Sequence, residues 1–290
     1  MKISMRQLEL FVKIAQYESV TKAAKALFLS QSAASMALLE LEKQIDTQLF
    51  DRMGKKLTLN SHGDQLFGKA KEIIERVLEI ENFLKNPEKN LIGNLNIGAS
   101  TTIGNYILPQ KIHSFLSENP GVKLQISISN SQEIVDKLLR FEIDLAYIED
   151  TCSHPEIITQ PWLEDELIFC SAPHFPLAKK KSLKINDLQK QIWILREKGS
   201  GTRHIFDKNF GNSYLNSESV LLEMGSTEAI KEALIAGMGI SCLSYEAIKR
   251  EMKAGDLVKL NIQQIKITRY FYKLIHKKKY RTQLVQSFMD

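Results

Sequence analysis

At 290 residues the chain is too long for one small core and divides more naturally into two or three domains. An apolar share of 43% and a charged share of 25% are ordinary for a globular protein. No apolar run approaches the ~20 residues that a membrane span needs, and the amphipathic start MKISMRQLELF has no signal-peptide core, so a cytoplasmic location is expected.

The net charge of +5 gathers at the two ends. Residues 1–60 hold nine Lys/Arg against six Asp/Glu, and residues 268–290 hold six against one. Basic ends suit an anionic polymer. The run Lys277, Lys278, Lys279 and Arg281 reads more simply as a solvated turn. Cys152, Cys170 and Cys242 fit neither a zinc spacing nor a disulfide framework and are expected to be buried thiols.

In chain order, Leu8, Phe11, Val12 and Ala15 recur at three- and four-residue steps and predict a first helix. Ser19 or Thr21 caps a second over 21–28, where the small Ala23 and Ala24 permit close helix approach. Ser30 caps a third over 31–45, with Ala34, Leu38, Leu41 and Ile45 as its buried stripe. Leu49-Phe50, a turn at Met53–Lys56 and Leu57–Leu59 form a hairpin wing. A long helix then runs from Asn60 or Ser61 to about Asn86-Pro87, some 37 Å at 1.5 Å per residue. Its stripe of Leu66, Ile73, Val77, Ile80 and Leu84 needs a partner. An antiparallel helix of a second copy is the economical one, and packing on its own domain is the alternative.

After residue 91, strand-like runs (95–99, 122–128, 143–148, 166–171, 192–195, 219–223, 239–243, 268–275) alternate with helical ones (102–118, 131–140, 203–210, 226–236, 244–252). This predicts α/β structure with mostly parallel sheets in two lobes. Crossings near Pro161-Trp162 and Gln264–Lys266 would give lobe I as 91–161 and 267–290 and lobe II as 162–266. The expected divisions are a head at 1–60, a linker at 61–90 and the lobes at 91–290.

The helical trio with a wing reads as a winged helix-turn-helix. Its second motif helix enters the DNA major groove, N-terminal residues first. On the 31–45 helix, Ser30, Gln31, Ser32 and Ser35 suit phosphates or base edges. Gln31 can pair with adenine and Met36 can touch a thymine methyl. Arg52, Lys55 and Lys56 on the wing would meet phosphates or a minor groove. A plain solvated face is the competing reading of the polar residues, and the basic turn argues against it.

The stretches LELFVKIAQYESVTKAAKALFLSQSAAS, LELEKQI and LFDRMGKKLTLNSHG resemble the DNA-binding domain of LysR-type transcriptional regulators. The likeness extends along the whole chain. It implies an α plus α/β molecule: an N-terminal winged helix-turn-helix, a long dimerising linker helix, and a two-lobed, periplasmic-binding-protein-like effector domain. The partners it implies are duplex DNA, a small effector and further copies of the chain, in a dimer or tetramer. RNA polymerase stays open as a further partner, and no membrane is involved. The chain departs from many members at Ser32, where they have proline, and at Met36, Ala37 and Leu39, where they have Arg, Gln or Lys. That shifts the expected readout toward the start of the helix and the wing.

Two further segments stand out: Gly98-Ala99-Ser100-Thr101-Thr102-Ile103-Gly104 and Lys198-Gly199-Ser200-Gly201-Thr202-Arg203, each entering a helix. Hydroxyls and free N–H groups at such a place bind anions, and glycine permits close approach. From opposite lobes they would face each other beyond the strand ends. Each alone reads equally well as a helix cap. In the family likeness the first segment matches the effector-contacting position, and the GSGTR form is similar to regulators of sulfur assimilation and carbon fixation. The expected effector is a small anion, such as a sulfur oxyanion, and no metal or other cofactor is expected. Its contacts would be Ser100, Thr101, Thr102 and Thr202, with Asn130, Ser131 and Thr227 secondary. Arg203 would meet the oxyanion or pair with a surface carboxylate. The chain lacks H-E-x-x-H, G-x-S-x-G, Walker and G-x-G-x-x-G motifs, and its histidines are scattered, so an enzyme is not expected. A transport-type binding protein predicts a secretory signal and no DNA-binding head.

Overall fold

The computed structural model describes residues 3–53, 56–85, 91–189, 191–211, 221–263 and 265–290. The head comprises α1 (Met5–Tyr17), α2 (Val20–Ala26), α3 (Gln31–Ile45) and an antiparallel pair, β1 (Phe50–Met53) and β2 (Lys56–Leu59). A capping box starts α1: Ser4 Oγ accepts from Gln7 N (3.2 Å) and Gln7 Oε1 accepts from Ser4 N (2.9 Å). Leu10, Phe11, Ile14, Ala23, Ala34 and Leu41 are fully enclosed where the three helices meet. Each such large apolar side chain contributes about 1.5–3 kcal/mol by leaving water.

The long helix α4 (Ser61–Lys85) starts at Asn60, whose Oδ1 accepts from His62 N and Gly63 N at 3.0 and 2.9 Å. A Cβ on Gly63 would lie 2.0 Å from the Leu49 carbonyl oxygen, so only glycine lets α4 cross the wing this closely. The predicted end at Asn86-Pro87 and the wing residues Gly54 and Lys55 lie outside the described residues.

The remainder contains β3 (Ile92–Ser100), α5 (Thr101–Tyr106), α6 (Leu108–Glu118), β4 (Gly121–Ser129), α7 (Ser131–Leu139), β5 (Leu145–Ile148) and β6 (Ile157–Ser171). It continues with β7 (Trp193–Arg196), α8 (Gly201–Phe206), β8 (Leu221–Met224), α9 (Thr227–Ile235), β9 (Ser241–Ser244) and α10 (Tyr245–Ala254). It closes with β10 (Val258–Lys259), β11 (Ile267–His276) and α11 (Gln283–Met289). The run expected as one helix over 102–118 is two, broken at Ile107, with Pro109 at the start of the second. Proline lacks the N–H a helix interior needs and fits the first turn.

The expectation of mostly parallel sheets is corrected. The main sheet runs β10-β6-β11-β5-β3-β4, with β9 also on β6. The pairs β3–β4, β3–β5 and β7–β8 are parallel, whereas every pair involving β6 or β11 is antiparallel. The cause is that β6 and β11 are longer than their apolar runs implied, and the whole of β11 lies alongside Ile157–Leu167 of β6. Their register shifts opposite Trp162, where a bulge adds a residue. One apolar core lies around Leu95, Ile97, Tyr147 and Phe288, and another around Phe169, Trp193, Phe206 and Phe210.

The run Lys277–Arg281 is not simply a solvated turn. Lys279 is buried, pairs with Glu75 of α4, and lies 2.9 Å from Asp144. Lys278 pairs with Asp64 and Glu156. Buried carboxylates at this junction require a counter-charge, which the basic turn supplies. Nearby, Phe141 of the effector domain joins the apolar core of the head, 4.9 Å ring to ring from Phe67. No helix among the described residues is long and apolar enough to cross a membrane.

Candidate effector cleft and DNA-reading surface

The ends of β3, β5 and β7 bring one carboxylate to the centre of the second region. Glu149, directly after β5, is 1% exposed. Its Oε1 accepts from Thr102 N (3.1 Å) at the start of α5. Its Oε2 accepts from Thr202 N (3.1 Å) and the Thr202 hydroxyl (3.3 Å) at the start of α8. Two backbone donors expected to be free for an anion are therefore already held by the protein's own carboxylate. Burial alone would raise the Glu149 pKa, but Arg269, the Thr102 hydrogen bonds and Arg196 outweigh it and hold the group below its ordinary value.

Arg269, on β11, is buried. It donates from Nε to Asp165 (2.8 Å) and from Nη1 to the Thr202 hydroxyl (3.1 Å), with Glu149 Oε2 at 3.9 Å. Burial pushes Asp165 up despite this pairing. Arg196, at the end of β7, donates to Thr227 Oγ1 (3.1 Å) and Thr101 Oγ1 (3.3 Å) and pairs with Glu197. Further contacts cross the same gap: Gln132 N donates to the Gly199 carbonyl (3.2 Å), His204 lies 3.4 Å from Asp150, and the Tyr106 hydroxyl bonds Glu228.

Among the described residues, Ser100 Oγ, Ser131 Oγ, Ser200 Oγ and Arg269 Nη2 are buried here without a hydrogen-bond partner. Ser100 and Ser200 precede α5 and α8, yet neither hydroxyl caps its helix. The cap-only alternative for these two serines therefore fails. Asn130, by contrast, is a cap: its Oδ1 accepts from Glu133 N at 2.9 Å at the start of α7.

Of the two expectations for Arg203, an oxyanion or a surface carboxylate, the structure shows the carboxylate pairing. Its guanidinium donates to Asp207 (2.9 Å), Glu223 (3.2 Å) and the Arg196 carbonyl (3.0 Å). Glu149, Arg196 and Arg269 were missed by sequence reasoning. A signal existed: each is a charge within or ending an apolar strand run, and such a charge is buried only with partners.

On the head, Gln31, Ser32 and Met36 face solvent along α3, and Leu39 extends the face. Ser30 Oγ accepts from Ala33 N (3.2 Å) as the helix cap and contacts Ser32 Oγ (3.1 Å). Gln31 Nε2 donates to Ser35 Oγ at 2.8 Å. Arg52 on the wing is exposed, and Lys56 pairs with Glu18 at 2.8 Å. A groove of about 770 Å³ between α3 and the wing is lined by Ser35, Leu39, Lys43, Gln48 and Arg52 among others.

A winged helix-turn-helix joined to a two-lobed domain with an inter-lobe polar cluster defines a DNA-binding regulator with a ligand-sensing domain. Residues 5–64 match the family model for the bacterial regulatory helix-turn-helix protein of the lysR family, and residues 89–290 match the LysR substrate binding domain. The chain belongs to the LysR family of transcriptional regulators, which are not enzymes. It is 41% identical over 290 residues to the uncharacterized HTH-type transcriptional regulator YeiE of Escherichia coli K12, covering 100% of this chain and 97% of that protein. It is 31% identical over 262 residues to CysL of Bacillus subtilis, covering 90% of this chain and 87% of CysL. Full-length OxyR from Pseudomonas aeruginosa shares the fold, with a TM-score of 0.75 at 21% identity over 99% of this chain and 94% of that one. The Synechocystis CcmR regulatory domain, solved in complex with 2-PG, is 31% identical, with a TM-score of 0.63 over 68% of this chain and 94% of that one.

Proposed function

We propose that this regulator is switched by a small anionic effector held between the lobes, against Ser100, Ser131, Ser200 and Arg269, with Thr101, Thr102, Thr202 and Thr227 supporting the walls. One observation carries this reading: four buried donor groups from separate segments lack protein partners at one place. Such groups are costly unless something satisfies them. That the related CcmR regulatory domain was solved with 2-PG supports a small ligand. A cavity of about 1030 Å³ lies between head, α4 and effector domain, but its Lys71, Glu75, Asp144 and Lys279 lie in one ion-pair network.

DNA contact falls to Gln31, Ser32, Ser35 and Met36 on α3 and to Arg52, Lys55 and Lys56 on the wing, with Ser30 setting the helix start. A second copy covers the apolar stripe of α4, so that two heads read two half-sites. The protein works in the cytoplasm, where its operator is. Thermal-shift and calorimetric titration with a panel of inorganic oxyanions and small carboxylates tests the effector site. Binding should raise the melting midpoint, and Ser100→Ala with Ser200→Ala should abolish the rise. An unchanged titration in the double variant would place the effector elsewhere.

A further inference from the structure

We infer that Met36 and Leu39 make the middle of α3 a reader of thymine methyl groups, so that apolar contact, and not hydrogen bonding, sets the base preference there. This rests on the reading of α3 as the groove helix and specifies what that helix selects.

Ala34 and Leu41 bury one side of α3 in the core of the head. At 3.6 residues per turn, the side opposite that pair carries Ser32, Met36, Leu39 and Lys43. An amphipathic helix puts polar side chains on such a side. Here its centre is apolar: Met36 is 73% exposed and Leu39 67%. Single exposed apolar residues are ordinary, but two neighbours at i and i+3 on one stripe need a partner. With Ser35 beside them, Ser32, Met36 and Leu39 stand at i, i+3, i+4 and i+7. The third helix of a homeodomain reads the major groove from positions with that spacing.

The surroundings of the stripe suit duplex DNA. Lys43 and Arg52 line the groove between α3 and the wing together with Ser35 and Leu39, and neither pairs with a carboxylate among the described residues. Both carboxylates of α3 are engaged within the chain: Glu42 Oε1 accepts from Leu49 N (2.8 Å) and Glu40 Oε1 from Gln44 Nε2 (3.2 Å). An apolar centre rimmed by free cations fits a base edge flanked by phosphates. Thymine, through its C5 methyl, is the base that presents an apolar group in the major groove. The polar readers lie nearer the helix start, where Gln31 donates to Ser35 Oγ at 2.8 Å. Met36 and Leu39 are about 4.5 Å apart along the axis, close to one base-pair step of about 3.4 Å. The two methyl groups therefore belong to neighbouring base pairs.

Uracil in place of thymine removes the methyl group and leaves base pairing unchanged, so it tests the inference directly. An operator is selected from random duplex DNA with the full-length protein, and each thymine of a half-site is then replaced in turn. Fluorescence anisotropy at constant salt should find two neighbouring positions where uracil weakens binding about fourfold each, the effect of one buried methyl. Met36→Ala and Leu39→Ala should each bind thymine and uracil equally at one of those positions and keep the sensitivity at the other. Both side chains are exposed and alanine favours helix, so both variants should melt with the unaltered protein. A half-site with fewer than two uracil-sensitive positions overturns the inference, and so does a uracil effect that persists in both variants. Gln31→Ala separates this outcome from failure of the underlying reading: weaker operator binding in that variant keeps α3 in the groove even when the methyl readout fails. If Gln31→Ala and the double variant Met36→Ala with Leu39→Ala both bind the operator as tightly as the unaltered protein, α3 is not the groove helix and the inference falls with it.

Discussion

His276 ends β11 with its ring 4.1 Å from Phe141 and its Nδ1 accepting from Lys278 N at 3.1 Å. Burial, opposed by Glu156 and reinforced by Lys278, lowers its pKa from 6.5 to about 4. Between those values the unfolded chain binds the proton and the folded one does not, so stability falls as pH drops through that window. Urea unfolding at a series of pH values should show this loss, and His276→Gln should flatten that part of the profile. An unaltered slope in the variant would assign the acid loss to other groups. At this scale legibility was uneven. Ser100, Thr102 and Thr202 were marked by the strand-to-helix segments that hold them, although each segment alone reads equally well as a helix cap. Arg269 was readable in principle, since strict alternation places it on the inward face with Ile267 and Phe271. Glu149 was readable only as a charge ending an apolar strand run, because its role depends on two backbone amides 47 and 53 residues away.

At the scale of elements, α4 has two different faces. One is committed within the chain: Glu75 pairs with Lys279, Asp64 with Lys278, and the Arg76 guanidinium stacks on Tyr280 at 4.5 Å. The other leaves Ile73, Ile80 and Leu84 exposed, at 44%, 59% and 72%. The reading of α4 as packing on its own domain therefore holds for one face, and the exposed stripe is the face that a second copy is proposed to cover. Ile80→Glu with Leu84→Glu should convert a dimer to a monomer in sedimentation velocity while the circular dichroism spectrum stays the same. Persistence of the dimer would move the interface off this stripe. Helix positions were legible from periodicity, and the parallel-sheet expectation failed for a definite reason. Apolar runs mark where a strand is buried, not how far it extends, and β6 continues through the polar stretch Thr159–Glu166 on the strength of β11 beside it.

For the whole molecule, the change of hydrophobic period suggested a head, a linker and two lobes, and the family models match residues 5–64 and 89–290. What the pattern could not reveal is Phe141, which has a left-handed φ of 55° and lies far from the head in sequence, yet packs with Phe67 and Phe11's neighbours. Scanning calorimetry should accordingly show head and effector domain melting in one transition, and Phe141→Ala should separate it into two. Two separate transitions in the unaltered protein would count against the coupling. The same contact bears on how this regulator can be dissected. A fragment cut between residues 85 and 91 exposes Phe67 on one piece and Phe141 on the other. Each half then carries a sticky aromatic spot, and clumping of either piece would report the missing half rather than a badly folded domain.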